Sequence, residues 1–207
     1  MNRRSAPAHG LFLYARSRAL PHTVAALLAV AALAAVCAHR SAIYLDPAQR
    51  VRAEALAPVF AACAIGVSTY QYSPALDMTA VRRWPPRRLA HLTLLTVIAG
   101  AALVLVAPST LPVFGSWGLL RNLLGAVGVA VAAATVIGSR LCWMPVLAYL
   151  STLYLTPADA HSRAHALWAW AVQPGAQPLS WLPSLTAFLT GATLYVARGP
   201  RPEGREG

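Results

Sequence analysis

Hydrophobic positions along this chain gather into six long runs, separated by short segments where arginine, proline and glycine collect. The runs cover Leu20 to Ala38, Leu56 to Tyr72, Leu89 to Val106, Leu119 to Ile137, Leu141 to Thr156 and Leu179 to Ala197. A helix of about 20 residues rises roughly 30 Å, the thickness of the hydrocarbon core of a bilayer. The pattern predicts an all-α polytopic membrane protein with six transmembrane helices. It divides into a cytoplasmic amphipathic segment over 1–19, a six-helix transmembrane domain over 20–197 and a cytoplasmic tail over 198–207. Only Gly138, Ser139 and Arg140 separate the fourth and fifth runs, so those helices are expected to be antiparallel neighbours in one tight hairpin. Ahead of the second run, Asp46 and Pro47 read as an N-cap and a first helical residue. Pro58 is expected to kink the helix that follows.

Composition strengthens this reading. Hydrophobic residues make up 57% of the chain and charged residues 11%, and mean hydropathy is +0.54, too apolar for the surface of a soluble domain. The net charge of +11 would suggest a nucleic-acid partner in a soluble protein. Here the arginines lie between apolar runs, so they speak for orientation in the membrane, and no nucleic acid is expected. With the N-terminus in the cytoplasm, twelve arginines fall inside and five outside, which places both termini in the cytoplasm and the protein in the cell membrane. Trp84, Trp117, Trp143, Trp168 and Trp181 lie near run ends, where an indole prefers the interface. A cleaved secretion signal at the first run is the competing reading, and the five further runs speak against it. Leu11, Leu13 and Tyr14 against Arg16 and Arg18 make Gly10 to Leu20 amphipathic, fit to lie on anionic lipid. Cys37, Cys63 and Cys142 all sit in apolar runs and read as packing residues without a disulfide framework.

Three features go beyond plain spans. Between the second and third runs, Ser73 to Arg88 carries Asp77, Arg82, Arg83, Trp84, Arg87 and Arg88 around a Trp-Pro-Pro centre. The arginines either hold the topology against lipid phosphates or, with Trp84 as an apolar anchor, dock a cytoplasmic protein. Inside the runs, His91, Arg121 and Asn122 are the candidate polar residues of a pathway. Arg121 either snorkels outward or, with Asn122, lines a bundle cavity and holds an anionic or carbonyl group of a substrate. Gly125, Ala126, Gly128 and Ala130 in the same run are expected to let helices meet closely. The third feature is the outer stretch from Thr156 to Ser180, which carries Trp168, Trp170, Pro174, Gly175 and Pro178 and is too apolar to stand in water. It is expected to dip into the outer interface or cap the bundle.

This layout resembles the membrane subunits of ABC transporters of the type V exporter class. The resemblance implies that Asp77 to Arg88 couples to an ATPase subunit and that His165 to Trp181 is an outer re-entrant piece. It also implies export of a hydrophobic or peptide-like compound, with ATP held by a partner chain and no cofactor on this one. A second copy or another membrane subunit would complete the complex, and membrane lipid would surround it. The chain has no GxxxxGK[ST] phosphate loop and no GxSxG elbow. His161 and His165 lack the Glu of an HExxH site and the rest of a metal-ligand set. None of the six acidic residues falls well inside a run, which speaks against a proton-coupled pump. No enzymatic role is expected. The alternatives are a non-transport membrane assembly or scaffold protein and the substrate-binding subunit of a micronutrient importer.

Overall fold

The computed structural model describes residues 20–44, 47–70, 84–106, 115–155, 167–175 and 177–203. Its helices are α1 (Leu20–Tyr44), α2 (Pro47–Ser68), α3 (Trp84–Val106), α4 (Gly115–Val136), α5 (Trp143–Leu155) and α6 (Trp181–Arg198). Two 3₁₀ turns, Trp170–Val172 and Pro178–Ser180, precede α6. The protein is an all-α, multi-pass membrane bundle. Among the described residues, three stretches are long and apolar enough to cross a bilayer: Trp84–Leu105, Gly115–Val136 and Pro178–Arg198. Shorter apolar helical stretches occupy Pro21–Cys37, Ala55–Ser68 and Trp143–Leu155.

α4 is the central helix, buried along most of its length from Gly118 to Ala134. It packs against α2 on one side and α6 on the other, while α1 leans on α2 and α3. Leu27, Ile65, Leu92, Leu95, Leu123, Val127 and Val131 meet in the core. The outward faces remain apolar, with Leu28, Leu33, Leu94, Val97, Leu105, Leu182 and Leu189 exposed, as lipid rather than water requires. α4 and α6 run parallel and touch backbone to backbone. A Cβ on Gly128 would collide with the Ala187 carbonyl, and one on Gly191 with Gly128 itself. Small residues at this crossing replace the hydrophobic effect with close packing, the means by which helices associate in lipid.

Helix starts differ from the sequence pattern at one informative place. The docking loop was expected to run through Arg88, but Trp84, Pro85, Pro86, Arg87 and Arg88 form the first turn of α3. The first four N–H groups of a helix have no intrahelical acceptor, so two prolines there cost no hydrogen bond. Asp77, Arg82 and Arg83 lie outside the described residues, as do the segment 1–19 and His161 and His165. The turn between α4 and α5 spans 137–142, longer than the three polar residues suggested, because Cys142 turns inward to lie buried beside Gly66. The three cysteines are free thiols.

Candidate functional site at the apical end of the bundle

The two ends of the bundle are built differently. At the basal end lie the C-termini of α2, α4 and α6 and the N-termini of α3 and α5; the apical end holds the N-termini of α4 and α6 and residues 167–175 and 177–180.

Arg121 stands six residues, about 9 Å, into α4 and is 0% exposed. It does not snorkel. Its Nη2 donates to the carbonyl of Gln173 at 2.7 Å. Its Nη1 donates to the Pro174 carbonyl at 3.0 Å and to Ser180 Oγ at 2.6 Å. The Nε donates to Asn122 Oδ1 at 3.2 Å, and Asn122 Nδ2 donates to the Ala171 carbonyl at 2.6 Å. Two consecutive residues of α4 thus hold a stretch of chain fifty residues away by its backbone. The reason lies in that stretch. Pro174 and Pro178 have no N–H, and Gln173 is extended at φ −74° and ψ 149°, so neighbouring carbonyls cannot be satisfied by a regular helix. A fixed guanidinium fork supplies several donors at once.

Aromatic packing completes the closure. Trp170 lies against Gly125, where any Cβ would run into the indole, and it stacks on Tyr149 with ring centres 5.2 Å apart and planes 14° off parallel. The Tyr149 hydroxyl donates to the Trp168 carbonyl at 2.9 Å and accepts the Ala171 N–H at 3.5 Å. Gly125 is ten residues, about 15 Å, down α4, so Trp170 reaches well below the helix end. Beneath it, Ala126, Val129, Val146, Asn122 and Tyr149 border a cavity with about 10 Å³ open to the centre of a water molecule, room for a single one. Trp117 and Trp181 meet edge to face at 6.3 Å at this same end.

The basal end is held by ionic and capping contacts. His91 is 5% exposed, with Nε2 3.2 Å from Ser68 Oγ, and it stands at the opposite end of the bundle from Arg121 and Asn122. The three candidate pathway residues are therefore not brought together. Arg88 donates from Nη1 to the Val196 carbonyl at 3.3 Å, a cation at the negative end of α6. Gly199, at φ +78°, lies flat against that guanidinium, which leaves no room for a side chain. The tail then crosses the end of α4: Arg201 donates its N–H to the Ala134 carbonyl and Nη1 to the Val136 carbonyl, both at 3.0 Å. Glu203 accepts the Arg140 N–H at 2.9 Å and pairs with Arg140 Nε at 3.0 Å. Arg140 also lies over the Tyr70 ring at 5.2 Å. Nearby, Thr69 Oγ1 and Ser139 Oγ meet at 2.9 Å.

Sequence reasoning singled out Arg121 and Asn122 and noted Trp170 within the outer stretch. It missed Tyr149 and Ser180. A signal for both existed: a proline-broken apolar stretch has carbonyls that need donors and rings that need a stack. Among the described residues no group of His, Cys, Asp and Glu is placed to hold a metal ion.

Comparison with protein-family models, with curated proteins and with solved structures finds no match to this chain.

Proposed function

We propose that this chain is the membrane subunit of an ABC-type exporter, moving a hydrophobic or peptide-like compound with ATP hydrolysed on a separate chain. The carrying observation is the apical segment, a separable piece of chain latched into the bundle by Arg121 and Asn122. A transporter in its occluded state needs such a stopper, and the latch is made of hydrogen bonds that can be exchanged.

In this reading all six helices cross the bilayer, with the basal end and both termini in the cytoplasm. Among the described residues, Arg87, Arg88, Arg140, Arg198 and Arg201 belong to the basal end, against Arg40, Arg50, Arg52 and Arg121 at the other. That small excess, together with twelve arginines against five over the full sequence, supports the orientation. α5, with 13 residues, rises only about 20 Å, and the inserted segment supplies the remaining depth beside it. The ATPase would sit on the basal end, against Arg82, Arg83, Trp84 and Arg87. Arg88 is taken up by α6 and serves the bundle itself.

A non-transport assembly protein is the second reading, and the tightness of the interior favours it: the apical cavity has room for one water, and α4 and α6 touch at glycine. Extraction in mild detergent followed by identification of bound chains separates the two. The transport reading expects an ATPase in the complex and its loss on Arg82→Glu with Arg83→Glu, at unchanged helix content. Purification of the wild-type chain with no ATPase overturns it.

A further inference from the structure

The latch has a chemical selectivity of its own. Three N–H groups, from Asn122 Nδ2, Arg121 Nη2 and Arg121 Nη1, meet the carbonyls of Ala171, Gln173 and Pro174 at 2.6, 2.7 and 3.0 Å. All three acceptors lie within four consecutive residues of one backbone, and none is a side-chain group. The donors do not depend on that backbone for their position. They stand side by side on the most buried helix, tied together by Arg121 Nε to Asn122 Oδ1 at 3.2 Å and bonded to Ser180, the N-cap of α6. The receiving stretch is weakly organised by itself: a single 3₁₀ turn, one extended residue and a proline.

We propose that Arg121 and Asn122 form a recognition site for an extended peptide-like backbone, and that Ala171–Pro174 occupies it as an internal stand-in for such a ligand. This deepens the transport reading, on which it rests for its biological meaning, by naming the substrate class. A guanidinium buried at this depth cannot be left without acceptors, because stripping it of both water and partners costs several kcal/mol. The segment can therefore leave only when another molecule brings oxygens to the same three donors. An extended peptide does so along one strand, at the spacing its own backbone imposes, and the exchange leaves the count of hydrogen bonds unchanged. A pure hydrocarbon would leave the fork empty. The small cavity bordered by Val129, Val146, Tyr149 and Trp170 offers an apolar side chain a place to enter as the indole moves aside.

The probe is the capped tetrapeptide acetyl-Ala-Val-Gln-Pro-amide, which copies residues 171–174. The full chain is purified in nanodiscs, and hydrogen exchange is followed at Val172 and Gln173, whose amides bond to the carbonyls of Ala169 and Trp170. Displacement of the segment is expected to speed exchange there about tenfold at millimolar peptide. An analogue with alkene isosteres in place of the carbonyls is expected to leave it unchanged. In Trp170→Ala, which removes the indole that anchors the segment on Tyr149 and leaves Arg121 and Asn122 in place, half-maximal effect should need about tenfold less peptide. No acceleration by the peptide, equal acceleration by the analogue, or an unshifted concentration in Trp170→Ala each overturns the proposal. The assay contains no ATPase. A missing ATPase partner therefore sinks the transport reading without touching this result, and failed displacement in a preparation that holds an ATPase removes only the peptide-like class.

Discussion

Arg121 shows how much one side chain can decide when water is absent. Its guanidinium bonds two carbonyls, one hydroxyl and one amide oxygen, and each of those acceptors would be stranded by an apolar replacement. Arg121→Leu is expected to lower stability by about 3–5 kcal/mol, the range for breaking a buried charged network, read as the unfolding transition in detergent. Arg121→Lys should recover only part, because an ammonium is a point donor and cannot span the four acceptors that the guanidinium reaches. Equal stability of the lysine variant and the wild type would show that charge alone, without the fork, holds the segment. This residue also marks the limit of what the letters reveal. Arg121 and Asn122 stood out as polar groups in an apolar run, but their partners are backbone carbonyls of Ala171, Gln173 and Pro174, and a carbonyl has no letter of its own. Arg88 makes the same point at the other end: it was grouped with a loop cluster, yet its nearest acceptor is the Val196 carbonyl. What Arg88 folds against, and not its place in a run of arginines, decides what it does.

Among the elements, α4 and α6 are the pair on which the bundle depends, and here the sequence pattern was a good guide. Runs of Ala and Gly in the fourth apolar stretch pointed to close helix approach, and Gly128 meets Ala187 and Gly191 at the crossing. Gly191→Leu has nowhere to place its side chain except against the backbone of α4, so the helices must separate. The expected loss is about 3 kcal/mol, near the upper end of overpacking costs, and Gly191→Ala should lose less but still measurably. Substitution of exposed Leu189 by Ala is the matching control, with little change because lipid replaces the lost contact. The tail element follows a different logic. Arg140 keeps 72% of its side chain exposed, so its ion pair with Glu203 is worth at most about 1 kcal/mol, and Glu203→Gln should barely move the unfolding transition. Removal of 199–207 also deprives the Ala134 and Val136 carbonyls of their donors from Arg201, and should cost about 2 kcal/mol. No such cap was legible beforehand, because Gly199 reads as an ordinary helix stop until its contact with Arg88 is seen.

For the molecule as a whole, the ordering of the two ends makes a prediction that helix count alone does not. Contacts join Ser68 to His91, Thr69 to Ser139, Arg88 to Val196 and Arg201 to Ala134 at the basal end. Others join Arg121 to Ser180 and Trp117 to Trp181 at the apical end. α2, α4 and α6 therefore run in one direction and α3 in the other, so any single reporter that fixes one end fixes these helices together. Trp84 and Trp143 mark one interface, Trp117, Trp168 and Trp181 the other. With an excess of arginine at the basal end, a membrane-impermeant thiol reagent applied to intact cells is expected to label Trp117→Cys and to leave Trp143→Cys unlabelled until the membrane is opened. Each native cysteine is replaced beforehand, Cys142 by Ala because that site is fully buried. The two positions are 68% and 40% exposed, so neither outcome can be blamed on burial. Labelling of residue 143 from outside would invert the whole molecule, put the latched segment on the cytoplasmic side, and end the reading of it as an outer stopper. Labelling of both from the same side would contradict the bundle itself, because α4 carries residue 117 at one end and leads directly into the turn that carries 143 at the other.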